Sequence, residues 1–168
     1  MRIATFTHQG QTHVGLVNAE HTHVTVLNLS PAESTLGALP LIERLVAGQP
    51  LPTQGATLAL KDVHLMAPIP KPRRNIFCVG KNYHAHAKEF ATSGFDSSAK
   101  AGGDIPSVPI IFSKVPESVI ATGDTIEIPH AVSTAIDYEA ELGVIIGRGG
   151  KGISKADAMG HVWGYTII

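Results

Sequence analysis

Glu139 and Glu141 stand one alanine apart in the stretch IDYEAELGVIIG, residues 136–147. Tyr138, Ala140, Leu142, Val144 and Ile146 alternate with them as one apolar set, and a glycine-rich run follows, so a β-strand is predicted. Successive side chains on a strand point to opposite faces, which puts both glutamates on one face with Cβ atoms roughly 6.5–7 Å apart. Carboxylates held side by side repel, and one is pushed towards protonation unless a cation lies between them. A hard divalent cation relieves that repulsion, and Mg²⁺ commonly takes one or two protein carboxylates together with water and substrate. On this pattern alone a solvated strand face is the simpler account, because E-x-E is a short signal and exposed acids need no partner.

His86 and Glu89 form a second candidate pair, in GKNYHAHAKEF, residues 80–90. Gly80 and Asn82 suit a tight strand-to-helix turn, and the residues that follow are good helix formers. Three positions apart on a helix, His86 and Glu89 share a face, while His84 points elsewhere. A carboxylate beside an imidazole fixes its tautomer and raises its basicity, which suits it to draw a proton from water. An ordinary surface His–Glu pair has the same spacing. Other signals are weaker. GRGGKG, residues 147–152, matches G-x-G-x-x-G, but the helix predicted from Ser154 is short, so a flexible connector is the default. His8, His13, His21 and His23 read as the exposed face of a sheet, and His21-Thr22-His23 lacks a third metal ligand nearby. Cys78 sits in the apolar run IFCV and reads as buried packing.

The elements that must position these residues fall into two parts. Residues 2–8, 12–17 and 23–29 alternate apolar and polar around turn signals at Gln9-Gly10 and Asn18, a β-meander. A helix is predicted over 36–47, with Leu36, Leu39, Ile42, Leu45 and Val46 on one stripe and Gly48 and Pro50 ending it. MAPIPKPRRN, residues 66–75, reads as a stiff connector, with Arg73 and Arg74 solvated. Strands are predicted at 75–79, 108–113 and 124–129, ahead of the glutamate strand. The polar stretch 92–106 reads as a loop that closes over a ligand.

The chain has 168 residues, a formal net charge of −1 and 43% hydrophobic residues, which suits a globular protein with a real core. Near-neutral charge without a basic stripe argues against nucleic-acid binding by phosphate neutralisation. No apolar run approaches the ~18 residues of a membrane span, and MRIATFTHQG has no apolar leader core. A lone cysteine fits a reducing compartment, so a cytoplasmic location is expected. The closing residues HVWGYTII lie inside an apolar strand, so a C-terminally truncated fragment is expected.

Taken in order, G-x-N-Y-x-x-H-x-x-E, PIIFSK, VIATGDTIEIP, DYEAELGVIIG and WGYTII give a sequence that resembles the fumarylacetoacetate hydrolase family over about residues 74–168. The resemblance implies a mixed-β (α+β) fold. A small β-rich N-terminal domain, residues 1–65, would precede the first portion of a mixed-β roll with short helices, residues 66–168. It implies Glu139 and Glu141 as two of three carboxylate ligands of Mg²⁺ or Mn²⁺, with His86 and Glu89 as the water-activating dyad. Lys114 and Tyr83 would contact the substrate. The third acidic ligand and a catalytic lysine would follow Ile168, so the chain by itself is expected to be inactive or nearly so.

The implied activity of the intact protein, expected to be a homodimer, is metal-dependent cleavage of 2-oxo acids such as acylpyruvates. A Lewis-acid cation would stabilise the enolate released as a C–C bond breaks. Hydration, isomerisation or decarboxylation of 2-oxo diacids is the alternative within the same chemistry. A non-catalytic binding or assembly module is the alternative outside it.

Overall fold

A computed structural model describes residues 1–92 and 106–168, and the loop predicted over 92–106 lies almost wholly outside the described residues. The chain divides into two compact units, Met1–Lys71 with Val119–Ile168, and Pro72–Ser118. Strands predominate and helices are few and short, in keeping with the predicted mixed α+β class. No described helix is long and apolar enough to cross a membrane.

The first unit opens with the predicted meander: β1 (Arg2–His8), β2 (Gln11–Val17) and β3 (His23–Leu27). With β4 (Gln54–Ala59) and β5 (His64–Leu65) they form an antiparallel sheet in the order β4-β3-β2-β1-β5. Gln9 and Gly10 both take positive φ, 49° and 77°, and close the two-residue hairpin between His8 and Gln11. Asn18 organises the next turn: its Oδ1 accepts the Thr22 and His23 amides, each at 2.9 Å.

The helix predicted over 36–47 forms over Leu39–Val46, and a short helix not predicted precedes it. α1 (Pro31–Ser34) and α2 (Leu39–Val46) are separated at Gly37, whose φ of +64° breaks helical geometry. A Cβ there would lie 2.4 Å from the Pro68 carbonyl oxygen, and that oxygen accepts the Ala38 amide at 2.9 Å and the Thr5 hydroxyl at 2.8 Å. The Pro-rich connector is thus pinned to β1 and to the helix break at its near end. The core is also offset from the predicted stripe. Leu41, absent from it, is fully buried against Val14 and Leu27, with Ile3, Leu16, Leu29 and Leu51 around them, whereas Val46 is exposed.

α1 is only four residues long and depends on its cap. Ser30 Oγ accepts the Glu33 amide, and Glu33 Oε2 accepts from the Ser30 amide at 2.9 Å and the Ser30 hydroxyl at 2.7 Å. Arg44 of α2 donates to Oε1 at 3.1 Å. Hydrogen bonds from the Ser30 side chain, the Ser30 backbone and Arg44, in that order, hold the Glu33 carboxyl at about 2 instead of 4.5. A depressed carboxyl pKa stabilises the fold above its unfolded value, and that contribution disappears as pH falls from about 4.5 towards 2. Glu33→Gln should therefore flatten the acid limb of a melting-temperature profile across that window, as followed by circular dichroism. An unchanged limb would exclude this role for Glu33.

The C-terminal part of this unit is a hairpin of β8 (Leu142–Ile146) and β9 (Val162–Ile167), in register from Leu142↔Ile167 to Ile145↔Gly164. The predicted strand over 124–129 is absent: the segment has no ladder partner among the described residues, and an alternating pattern alone cannot satisfy a strand's amides. The predicted helix from Ser154 is a 3-10 turn, Ala158–His161. Ser154 and Asp157 bond each other as the spacing required, but no α-helix follows. With no helix N-terminus to receive phosphates, the dinucleotide reading of GRGGKG has no support.

The second unit pairs β6 (Ile76–Gly80) with β7 (Ile110–Lys114), antiparallel, and carries α3 (His84–Thr92). Both strands lie one or two residues from their predicted bounds. Cys78 is half-buried, not buried, with Sγ 3.9 Å from the Ile76 carbonyl oxygen. A two-stranded ribbon shields its faces only partly, and Phe77 beside it is exposed.

Candidate functional site

The turn from β6 into α3 carries one group of candidate residues. Gly80 ends the strand, Lys81 takes φ +54°, and the helix starts at His84. The Tyr83 carbonyl accepts the Ala87 amide at 2.9 Å, and Ala87 is buried, which seats this face of α3. His86 is half-buried and His84 exposed. Glu89 is exposed one turn further on, and Tyr83 is exposed at the start of the helix. The His86 ring lies 6.0 Å from the Phe90 ring at 37°, and the Lys81 ammonium lies 5.1 Å from the Phe90 centroid.

Lys114 is the last residue of β7 and pairs with Ile76, whereas Gly80 pairs with Ile110. Four residue steps separate these pairs, so Lys114 sits about 13 Å along the ribbon from the turn into α3.

Glu139 and Glu141 belong to the other unit. The ladder of the β8–β9 hairpin extends one pair beyond the strands: Glu141 and Ile168 exchange both backbone hydrogen bonds at 2.9 Å. Glu139 therefore precedes the ladder, in backbone without strand assignment, and the predicted strand starting at Tyr138 is shorter than the pattern implied. Burial is also the reverse of what the apolar alternation suggests. Tyr138, Leu142, Val144 and Ile146 are exposed, while Glu141 is half-buried on the side where Gly143 is buried. A Cβ on Gly143 would meet Ile168 and Thr166 side chains at 2.9 Å, so that side is closely packed.

Two carboxylates at alternate positions, one backbone-anchored, are a hard-oxygen donor set that fits a divalent cation taking its other ligands from water and substrate. Among the described residues no group of three or more His, Cys, Asp or Glu is gathered as a metal site.

The histidine-rich meander builds no such site either. The Arg2 guanidinium donates to His21 Nε2, and His23 Nδ1 shares a hydrogen bond with Thr22 Oγ1 at 2.9 Å. His8 and His13, predicted on an exposed face, are half-buried. His8 Nδ1 lies 3.2 Å from the Asp62 carbonyl oxygen, and the His13 ring packs 5.6 Å from that of Phe6. The contact between Lys81 and Phe90 went unread in the sequence. The G-K-N turn was legible, but not that the lysine takes the left-handed position.

Comparison with known proteins bears on the whole chain. Residues 75–168 match the family model described as fumarylacetoacetate (FAA) hydrolase C-terminal, and residues 1–68 match one described as Rv2993c-like, N-terminal. Oxaloacetate tautomerase YisK of Bacillus subtilis is 46% identical over 110 residues, covering 66% of this chain and 34% of that protein. Mitochondrial oxaloacetate tautomerase FAHD2A of Bos taurus is 33% identical over 177 aligned positions, covering 99% of this chain and 51% of that protein. A solved fumarylacetoacetate hydrolase from Exiguobacterium antarcticum superposes with a TM-score of 0.69 at 31% identity, over 99% of this chain and 54% of that one. The chain thus spans about a third to a half of the length of the relatives it matches. With that family model matching more than half of its residues, this chain belongs to the fumarylacetoacetate hydrolase family.

Proposed function

We propose that the protein carrying this chain interconverts the keto and enol forms of oxaloacetate or a closely similar 2-oxo diacid. The observation that carries this reading is the 46% identity to a bacterial oxaloacetate tautomerase. Identity to a mammalian oxaloacetate tautomerase along nearly the whole chain supports it.

Tautomerisation needs one group that both accepts and returns a proton, and His86 is suited to this. The neutral imidazole takes a proton from C3, the freed electron pair forms the C2=C3 double bond, and the 2-oxo oxygen becomes a hydroxyl as it receives a proton. Glu89, on the same face of α3, orients the ring. Tyr83 offers a hydroxyl and Lys114 an ammonium for the substrate's carboxylates. A divalent cation, Mg²⁺ or Mn²⁺, held by Glu139 and Glu141 would supply positive charge where the enolate oxygen develops. Division of the chain near residue 65, a cytoplasmic location and a homodimeric state belong to the same proposal.

A second reading is hydrolytic C–C cleavage of an acylpyruvate, with His86 drawing its proton from water. The structural likeness to a fumarylacetoacetate hydrolase favours it. One assay series separates the two. The full-length protein, stripped of metal and then supplied with Mg²⁺ or Mn²⁺, is given enol oxaloacetate and, separately, an acylpyruvate, each followed by ultraviolet absorbance. Metal-restored ketonisation without acylpyruvate cleavage is expected, and the reverse result would favour the hydrolase. Buffer-level rates with both substrates would leave only a binding or assembly role.

A further inference from the structure

Lys81 occupies a conformation that a residue with a Cβ takes at a cost, φ +54°, and that glycine would adopt freely. Gly80 stands directly before it and Asn82, another residue tolerant of that region, directly after, yet neither carries the positive angle. The left-handed position thus falls on the cationic member of the three. From there the Lys81 ammonium lies 5.1 Å from the centre of the Phe90 ring, inside the range of a cation–π contact. Phe90 follows His86 by four residues, one helical turn on the same face of α3, with the rings 6.0 Å apart. Ammonium, phenyl ring and imidazole are therefore contiguous across a single strand-to-helix turn.

We infer that Lys81 and Phe90 are positioning residues for His86. An imidazole on a helix surface turns broadly about its second side-chain torsion. A phenyl ring packed beside it restricts that rotation, and the ammonium over the ring holds the ring in place. The left-handed backbone at Lys81 lets a residue outside the helix reach the helix face. This inference rests on the reading of His86 as the proton-transferring group.

The test uses the full-length protein and the variants Lys81→Gly, Lys81→Arg, Lys81→Met, Phe90→Leu and the Lys81→Met/Phe90→Leu double. Lys81→Gly should melt at or above the parent temperature, since glycine suits the angle, while kcat falls roughly tenfold, as expected when a reacting group loses its orientation. KM should stay within about twofold, because neither residue is assigned a substrate contact. Lys81→Arg should retain most of kcat, as a guanidinium can also sit over the ring. The double variant should be no slower than the slower single variant, because both changes break one chain of contacts. The His86 ring resonances, followed by NMR, should shift or broaden in Lys81→Met and in Phe90→Leu.

An unchanged kcat in Lys81→Gly, a rise in KM alone, or additive losses in the double variant would each overturn the inference. Should His86→Ala leave turnover intact, the functional reading fails instead, and the NMR signals still decide whether Lys81 and Phe90 position the ring.

Discussion

His86→Ala in the full-length protein should lower kcat for enol oxaloacetate by about 10²–10⁴-fold, the usual contribution of a positioned acid–base group. The reaction moves one proton, and an imidazole can both take and return it. His84, two residues away but exposed, is the internal control: His84→Ala should stay within a few fold of the parent. Glu89→Gln should fall between them, since it disturbs the ring's orientation and tautomer without removing the base. Binding of Mn²⁺, read by electron paramagnetic resonance, should be little changed by His86→Ala, because the carboxylates assigned to the cation are Glu139 and Glu141. Equal losses of turnover and of metal binding would contradict the separation of roles. A kcat within threefold of the parent would remove His86 from the reaction.

The largest expected effect on stability is that of Leu41→Ala, about 2–5 kcal/mol. Leu41 is fully buried between Val14 of β2 and Leu27 of β3, so truncation leaves a cavity between helix and sheet that the flanking strands cannot close. A domain holds only about 5–15 kcal/mol in reserve, so this one change removes a large share of it. Urea unfolding should show the lower midpoint, with Val46→Ala, on the exposed side of α2, as the near-neutral comparison. A loss below about 1 kcal/mol at Leu41 would mean that α2 does not close the core of the five-stranded sheet.

Local chemistry was legible wherever a few neighbouring residues decide the outcome. The meander followed from alternation, because a sheet with one covered face needs period two, and Gln9-Gly10 declared a two-residue turn. The short spacing of His86 and Glu89 on a helix was equally local. The helix predicted over 36–47 forms but starts only at Leu39, because at Gly37 Pro68 approaches from thirty residues away and the backbone turns left-handed. The predicted strand over 124–129 failed for a related reason, since no neighbouring strand among the described residues supplies its ladder.

The candidate site divides along the same line. Residue types and spacing by themselves carried the family resemblance and named the two glutamates and the imidazole–carboxylate pair as candidates, because those depend on covalent order and the period of one element. Which side of the glutamate hairpin is covered was a tertiary matter: Glu141 and Gly143 lie on the more buried side, and Leu142, Val144 and Ile146 on the open one. Tertiary structure likewise set the left-handed turn at Lys81 and brought its ammonium to Phe90. Burial and approach between distant segments arise from the sum of many weak contacts, and no short stretch of sequence contains that sum.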